Sequence, residues 1–458
     1  MEVGSNPHCG WPVTVVLCGS GYSILLLLSA ALGARQALAV PAFAAQTSQP
    51  CATCHIGSFG PQLTPQGRDF KLHGYVASDG KDHGLPVAAT TQTSFTHTES
   101  SRRGGAAPGF RPNDNLAIDQ VAAFYAGRIT PEVGGFIKLR YSGVRQQGQV
   151  GSVDIRHARD GELFGQGVLW GLTANNSPTV QDPWNSTPAW GFPYVRSGLA
   201  STPTATPLVA GRLSQRVAGV GAYVLWNDLV YWEADVYKGL NTEALSWVGQ
   251  VPFDGNDRTT TVMPYGRLAL IRDWQSHHAE IGAFAMSANV IPGRNQTSGI
   301  GTRKTDTAFD ATYQYISDPT KVTSDRLSAH ATYIHETART EASSTPALAQ
   351  ASLVHPLDTA RVDISYSFAA TVTPSIQYFR TTGTADVKYW GTPNGSPNSD
   401  GMIFEVAYVP WGKPDSPFAN VNVRLTAQYV NYFTFNGSST NTRGNNNFFF
   451  GFQTAMKL

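Results

Sequence analysis

From about residue 85 to its last residue the chain alternates apolar and polar side chains. Val362, Ile364, Tyr366 and Phe368 are apolar, and Arg361, Asp363, Ser365 and Ser367 around them are polar. Leu327, Ala329, Ala331 and Tyr333 alternate with Arg326, Ser328, His330 and Thr332. Val423, Leu425, Ala427 and Tyr429 do so with Arg424, Thr426 and Gln428, and Ile137, Leu139 and Tyr141 with Lys138 and Arg140. A strand turns successive side chains to opposite faces, so each run has one apolar and one polar face. Asn227-Asp228, between a run ending at Trp226 and another starting at Leu229, predicts a tight hairpin. No fixed-period repeat points to a propeller.

Two architectures share this pattern. A soluble sandwich buries the apolar faces; an outer-membrane barrel turns them to lipid and lines a lumen with the polar ones. Arg, Asp, Gln and Thr on the polar faces, and aromatics near strand ends, favour the barrel. So does the last segment, where Phe448, Phe450, Phe452, Met456 and Leu458 alternate, broken only by Thr454. A terminal amphipathic strand resembles the assembly signal of bacterial outer-membrane barrels, although Leu458 stands where an aromatic is usual. At about 9–11 residues per strand plus turns, the expected fold is an all-β transmembrane barrel of about 16 antiparallel strands. Residues 175–207, rich in Pro, Trp and Asn, form one long connection; a constriction folded into the lumen and an exposed surface loop are both open.

Composition agrees. Only 14% of the 458 residues are charged, against about 25% in soluble domains. A net charge of +1 gives no basic surface for nucleic acid. Residues 1–39 read as a signal peptide, with an apolar core at residues 24–28 and the small-x-small site Ala37-Leu38-Ala39. Ala42-Phe43-Ala44 is a second choice of site, and the region before the core lacks Lys and Arg. The core is short for the about 20 residues a spanning helix needs. Cleavage removes Cys9 and Cys18, leaving Cys51 and Cys54.

Cys51-Ala52-Thr53-Cys54-His55 is the attachment pattern of one covalent haem c. Two thiols reach two vinyl groups, and the next residue places an imidazole on the iron. A zinc site would need more Cys or His at ligand spacing, and no second CxxC exists. A thioredoxin-like pair would sit in a βαβ context. For the sixth ligand, His73 in Phe70-Lys71-Leu72-His73-Gly74-Tyr75 is near enough to fold back over the iron; a solvated turn histidine, Met286 or a barrel histidine are the alternatives. Residues 40–84, the haem segment, are too few to bury a porphyrin alone, so they must plug or line the barrel formed by residues 85–458. His277-His278 reads as a loop or turn, and no nucleophile triad, phosphate loop or paired catalytic carboxylates stand out.

Ala39-Val40-Pro41-Ala42-Phe43-Ala44-Ala45-Gln46-Thr47, the CATCH run, Pro61-Gln62-Leu63-Thr64-Pro65-Gln66-Gly67-Arg68 and the Phe70–Tyr75 run together resemble the fused outer-membrane monohaem cytochrome c–porins of iron-oxidising bacteria. That family has Arg where this chain has Ala45. The close match covers about residues 39–75. The resemblance implies an exported cytochrome plugging a barrel in the outer-membrane lipid. It would pass electrons from extracellular Fe(II), or another small donor, to a periplasmic cytochrome c or copper protein, with Fe(II)-oxidising oxidoreductase activity. A conduit for a different donor, a porin with a haem-containing gate, and a peroxidase-like haem enzyme are the competing functions.

Overall fold

The computed structural model describes residues 41–101, 106–250, 258–291, 301–340, 353–418, 421–440 and 442–458. The expected signal peptide lies outside them. Short helices come first: α1 (Pro41–Thr47), α2 (Cys51–Cys54) and α3 (Pro65–Leu72). Sixteen long strands follow. They are β1 (Val87–Thr98), β2 (Asn115–Thr130), β3 (Val133–Ser142), β4 (Gln147–Leu163), β5 (Gln166–Asn175), β6 (Val217–Trp226), β7 (Val230–Gly239) and β8 (Met263–Trp274). The second half comprises β9 (His277–Ile291), β10 (Thr302–Ile316), β11 (Arg326–Thr340), β12 (Leu353–Ser367), β13 (Val372–Gly383), β14 (Ser399–Tyr408), β15 (Val421–Thr434) and β16 (Asn447–Lys457). A two-residue strand, Arg258–Thr259, extends the sheet beside the end of β9.

Each strand pairs antiparallel with the next, and β16 pairs with β1, with Ala88 opposite Lys457 and Thr98 opposite Asn447. The sheet is therefore a closed barrel, with no open edge to template aggregation. Its turns follow local chemistry. Asn227 and Asp228 both take positive φ (53° and 49°), the geometry of a two-residue hairpin that matches strand twist.

The barrel is inside out relative to a soluble core. Leu268, Leu270, Ile281, Phe309, Val362, Ile364, Phe404 and Phe450 are exposed on its outside. Their strand neighbours Arg267, Glu280, Asp310, Asp363, Ser365 and Glu405 are buried within. A sandwich would show the opposite, so the polar faces line a lumen and the apolar faces form a lipid-facing belt. Exposed aromatics mark both rims: Tyr125, Trp170, Trp232, Trp274 and Tyr408 towards one, Tyr141, Phe433 and Phe448 towards the other. None of the described helices is long and apolar enough to cross a membrane; the strands do the crossing.

The first rim carries the chain's last residue, the entry to β1 and mostly short turns, which is the periplasmic end of such barrels. The other carries longer connections, including residues 176–216 and 384–398. The long connection expected over residues 175–207 is the one between β5 and β6, and it folds inward. Asp182, Trp184, Thr187, Phe192 and Leu199 are buried. It bonds to the far wall, where Gln377 donates to Phe192 O (3.2 Å), Gln428 to Val195 O (3.3 Å) and Tyr432 to Ser201 O (2.9 Å). His277-His278, expected in a turn, instead opens β9, because the hairpin before it needs only Gln275 and Ser276.

Candidate functional site

Residues 41–84 enter the barrel from the periplasmic end. Phe43 of α1 stacks on Tyr75 (5.1 Å) and meets Phe70 edge-on (5.2 Å), joining the helices into one unit. Thr64 caps α3 by accepting from Gly67 N (3.2 Å). Gly74, at φ +69°, ends it, with Tyr75 N bonded to Phe70 O (2.9 Å) in a left-handed cap. Gly67 allows α3 to lie against α2: a Cβ there would stand 2.2 Å from Cys54 O.

The CATCH run occupies α2 and its C-cap. Cys51 and Cys54, three residues apart on a helical turn, share a face, and both thiols are free. His55 follows as C-cap, its N–H on Cys51 O, and forms a β-bridge with Leu63. The surroundings come from the barrel. Asn422 donates to Cys51 Sγ (3.3 Å) and Ser58 O (2.8 Å), and Arg326 donates to Ala52 O (2.7 Å) and His55 O (3.0 Å). Ala52 N donates to Gly412 O (3.0 Å) and Ser58 Oγ to Ala370 O (2.7 Å), both in periplasmic connections. Burial pushes the Cys51 thiol up and the Cys54 thiol up to about 11. Burial also lowers His55 to about 4, against a smaller upward pull from the Gly60 and Gln62 carbonyls.

These residues fit a c-type haem by their donor set. Two unpaired thiols lie on one helical face, and next to them is a neutral imidazole whose buried Nδ1 has no hydrogen-bond partner among the described residues. His73, the expected sixth ligand, sits at the C-cap of α3. Its Nδ1 is 3.1 Å from Asp69 Oδ1 and its Nε2 3.3 Å from Asp160 Oδ1. The Asp69 carboxylate, above all, raises His73 to about 9, and binding iron would require breaking one of these contacts.

Sequence reasoning missed the residues that interlock plug and loop. Lys71 Nζ donates to Val180 O (2.8 Å), Asp182 O (2.7 Å) and Asn185 Oδ1 (2.7 Å) and lies over the Trp190 ring. Asn185 returns a bond to Pro61 O (2.7 Å). Tyr75 OH donates to Asp154 (2.7 Å) and Tyr223 OH to Leu72 O (2.6 Å). Behind the loop, buried Arg267 bonds Asp310 (2.7 Å) and Glu280 (2.9 Å) and reaches Asp182 at 3.7 Å. The one sequence signal was a lysine at position 71 between Phe70 and Leu72, in a segment that had to be buried.

A lumen entered from one rim by the N-terminal segment, crossed from the other by the β5–β6 loop, and walled by an inside-out closed sheet decides the architecture. This is a porin-like transmembrane barrel. Solved structures similar to the chain include the outer-membrane channel DcaP of Acinetobacter baumannii (12% identity, 84% of this chain and 99% of that one, TM-score 0.45). OprB of Pseudomonas putida is similar at 10% identity over 81% of this chain and 93% of that one, with a TM-score of 0.49. OmpT of Vibrio cholerae is similar at 11% identity over 81% and 96%, with a TM-score of 0.41. At such scores the fold assignment rests on the strand order itself. No protein-family model matches the porin-like chain, and no curated protein matches it.

Among the described residues no group of three or more His, Cys, Asp or Glu side chains could hold a metal ion. The porin-like barrel thus offers no built Fe(II) site there, and its architecture is that of a channel rather than of a cytochrome. The description as an iron-oxidising cytochrome is replaced by that of a plugged porin-like barrel. Haem attachment through two thioethers and one imidazole needs no such group.

Proposed function

We propose that this protein is an exported outer-membrane porin-type channel whose lumen is closed by a plug carrying one covalent haem as a gate element. The observation that carries this reading is the bonding of Lys71, in the plug, to three acceptors of the β5–β6 loop. Two segments from opposite rims hold each other inside the barrel and close it to free diffusion. The CATCH motif and the resemblance over residues 39–75 support the haem. Cys51 and Cys54 would each add S–H across one vinyl double bond, a step that needs no oxidant, and His55 would hold the iron. When bound, the haem supplies one-electron exchange.

The chain's own residues do the rest. Asn422 and Arg326 fix the attachment helix to the wall, and Gly67 lets α3 pack down on it. Ala52 in the attachment helix and Ser58 after it bond to connections at the periplasmic rim, which supports exchange with a periplasmic redox protein such as a cytochrome c or copper protein. It also leaves most of the roughly 30 Å hydrocarbon span between the haem and the outer face, which favours the gate over a single-haem conduit for an extracellular donor.

The test is mass spectrometry of the matured protein together with solute flux into liposomes containing it. One haem adduct lost in Cys51→Ala/Cys54→Ala, with slow sugar entry through the intact protein, is the expected result. A chain without adduct, or fast sugar entry, overturns the reading.

A further inference from the structure

We propose that Arg303 and Arg339, opposed on the lipid-facing side of β10 and β11, bind the phosphate of a phosphorylated glycolipid in the outer leaflet of the membrane. The inference rests on the lipid-facing belt and the orientation of the barrel, and is independent of the haem.

Side-chain alternation puts both arginines on the outside. Their chain neighbours Thr302, Lys304 and Ala338 are buried towards the lumen, whereas Arg303 and Arg339 are exposed on the face that carries Phe309 and Tyr333. In the β10–β11 register Arg303 stands directly opposite Arg339. Opposed residues of an antiparallel pair hold their Cβ atoms about 5 Å apart, and like charges so placed destabilise the pair. Their other register neighbours are uncharged: Asn289 beside Arg303 and Val354 beside Arg339. On the outer face of β9–β12 the one carboxylate among the described residues is Asp358. It lies opposite His335, four residues from Arg339, and is bonded to His335 (2.8 Å) and Tyr333. An anion from outside the chain would relieve the repulsion.

The height of the pair says which anion. At the periplasmic edge of this wall Trp274 stacks on His277 (5.2 Å), which meets Tyr315 at 5.1 Å. With about 3.4 Å per residue and a strand tilt of about 40°, Arg303 stands about 31 Å above Tyr315 along the membrane normal, against an apolar band about 25 Å tall. The guanidinium groups are thus just past the outer end of the hydrocarbon, at the level of lipid headgroups. Ile281, Phe309 and Tyr333 are exposed below them, where acyl chains would lie. A guanidinium meets phosphate oxygens with paired N–H donors, and two of them can straddle one phosphate. Arg258, opposite Ile291 of β9 on the same face, adds a third cation. By strand spacing it lies about 12 Å from Arg303, and its Nε has no hydrogen-bond partner among the described residues.

The experiment uses the full-length matured protein in detergent. Lipopolysaccharide binding is followed by microscale thermophoresis, and folding is checked by the heat-dependent mobility of the barrel on gels. The wild type should bind lipopolysaccharide, and should bind the same lipid after phosphatase treatment at least tenfold more weakly. Arg303→Ala/Arg339→Ala should lose at least tenfold in affinity for the untreated lipid. Arg272→Ala removes an exposed arginine from the same face at the periplasmic edge of β8 and should bind like the wild type. No binding by the wild type, unchanged binding in the double variant, or an equal loss in Arg272→Ala overturns the assignment. So does equal binding of the phosphatase-treated lipid, which decides alone if the double variant does not fold. Inorganic phosphate at millimolar concentration should leave the lipid bound; displacement would make this a site for soluble anions and overturn the lipid.

Discussion

The ammonium of Lys71 meets three acceptors of the lumen loop, one for each N–H. Burial lowers its pKa to about 7, yet the three bonds are best filled by the protonated form. Removing the charge strands two carbonyls and an amide oxygen inside the barrel. Lys71→Met should weaken plug docking by roughly 3 kcal/mol, read as increased single-channel conductance in planar bilayers; an unaltered conductance would count against the interlock. His73 behaves differently with pH. Its pKa is raised to about 9, chiefly by the Asp69 side chain, with Asp160 adding to it. A raised folded pKa means the contribution is fully present below the ordinary histidine pKa and is lost as pH rises through about 9. The protection factors of α3 amides, with intrinsic base catalysis divided out, should therefore fall between pH 7 and 10, and His73→Gln should flatten that fall.

Among the elements, α2 and α3 work as a pair because Gly67 lets them touch. Gly67→Ala puts a methyl 2.2 Å from a backbone oxygen that no rotamer change can move aside. The helices must separate, at about 1–3 kcal/mol for an overpacked contact. Limited proteolysis should cut the α2–α3 segment faster while the barrel stays intact. The sequence revealed where strands lie far better than what the helices touch. Alternation at Val362–Phe368 or Leu327–Tyr333 is a property of neighbours in the chain, so β12 and β11 were legible. The partners of Cys51 and Lys71 are not: Asn422 lies 371 residues from Cys51, and Asp182 lies 111 from Lys71. Nor did periodicity say whether residues 175–207 turn in or out. That depended on acceptors such as Asp182 meeting Arg267 and Lys71 across the lumen.

For the molecule as a whole, the inside-out pattern makes a directional claim. Phe309 projects from β10 and is 63% exposed, whereas its neighbour Asp310 is buried and bonded to Arg267. In a lipid-spanning barrel, Phe309→Arg should destabilise folding into vesicles by about 2–4 kcal/mol if it sits near the midplane. In a soluble barrel an exposed Phe→Arg would be close to neutral, so a negligible change would refute the lipid-facing assignment.

Closure of the sheet also imposes an order of events. Cys51 Sγ is fully buried, covered by Asn422 of β15, and its helix is bonded to Gly412 just before that strand. Those parts of the wall are made last and paired last, with β16 sealing against β1. On the proposed haem reading, any enzyme that joins haem to Cys51 would therefore have to finish before these strands pair. Under that proposal the finished barrel would act as a lock, neither loading nor releasing a group held on Cys51.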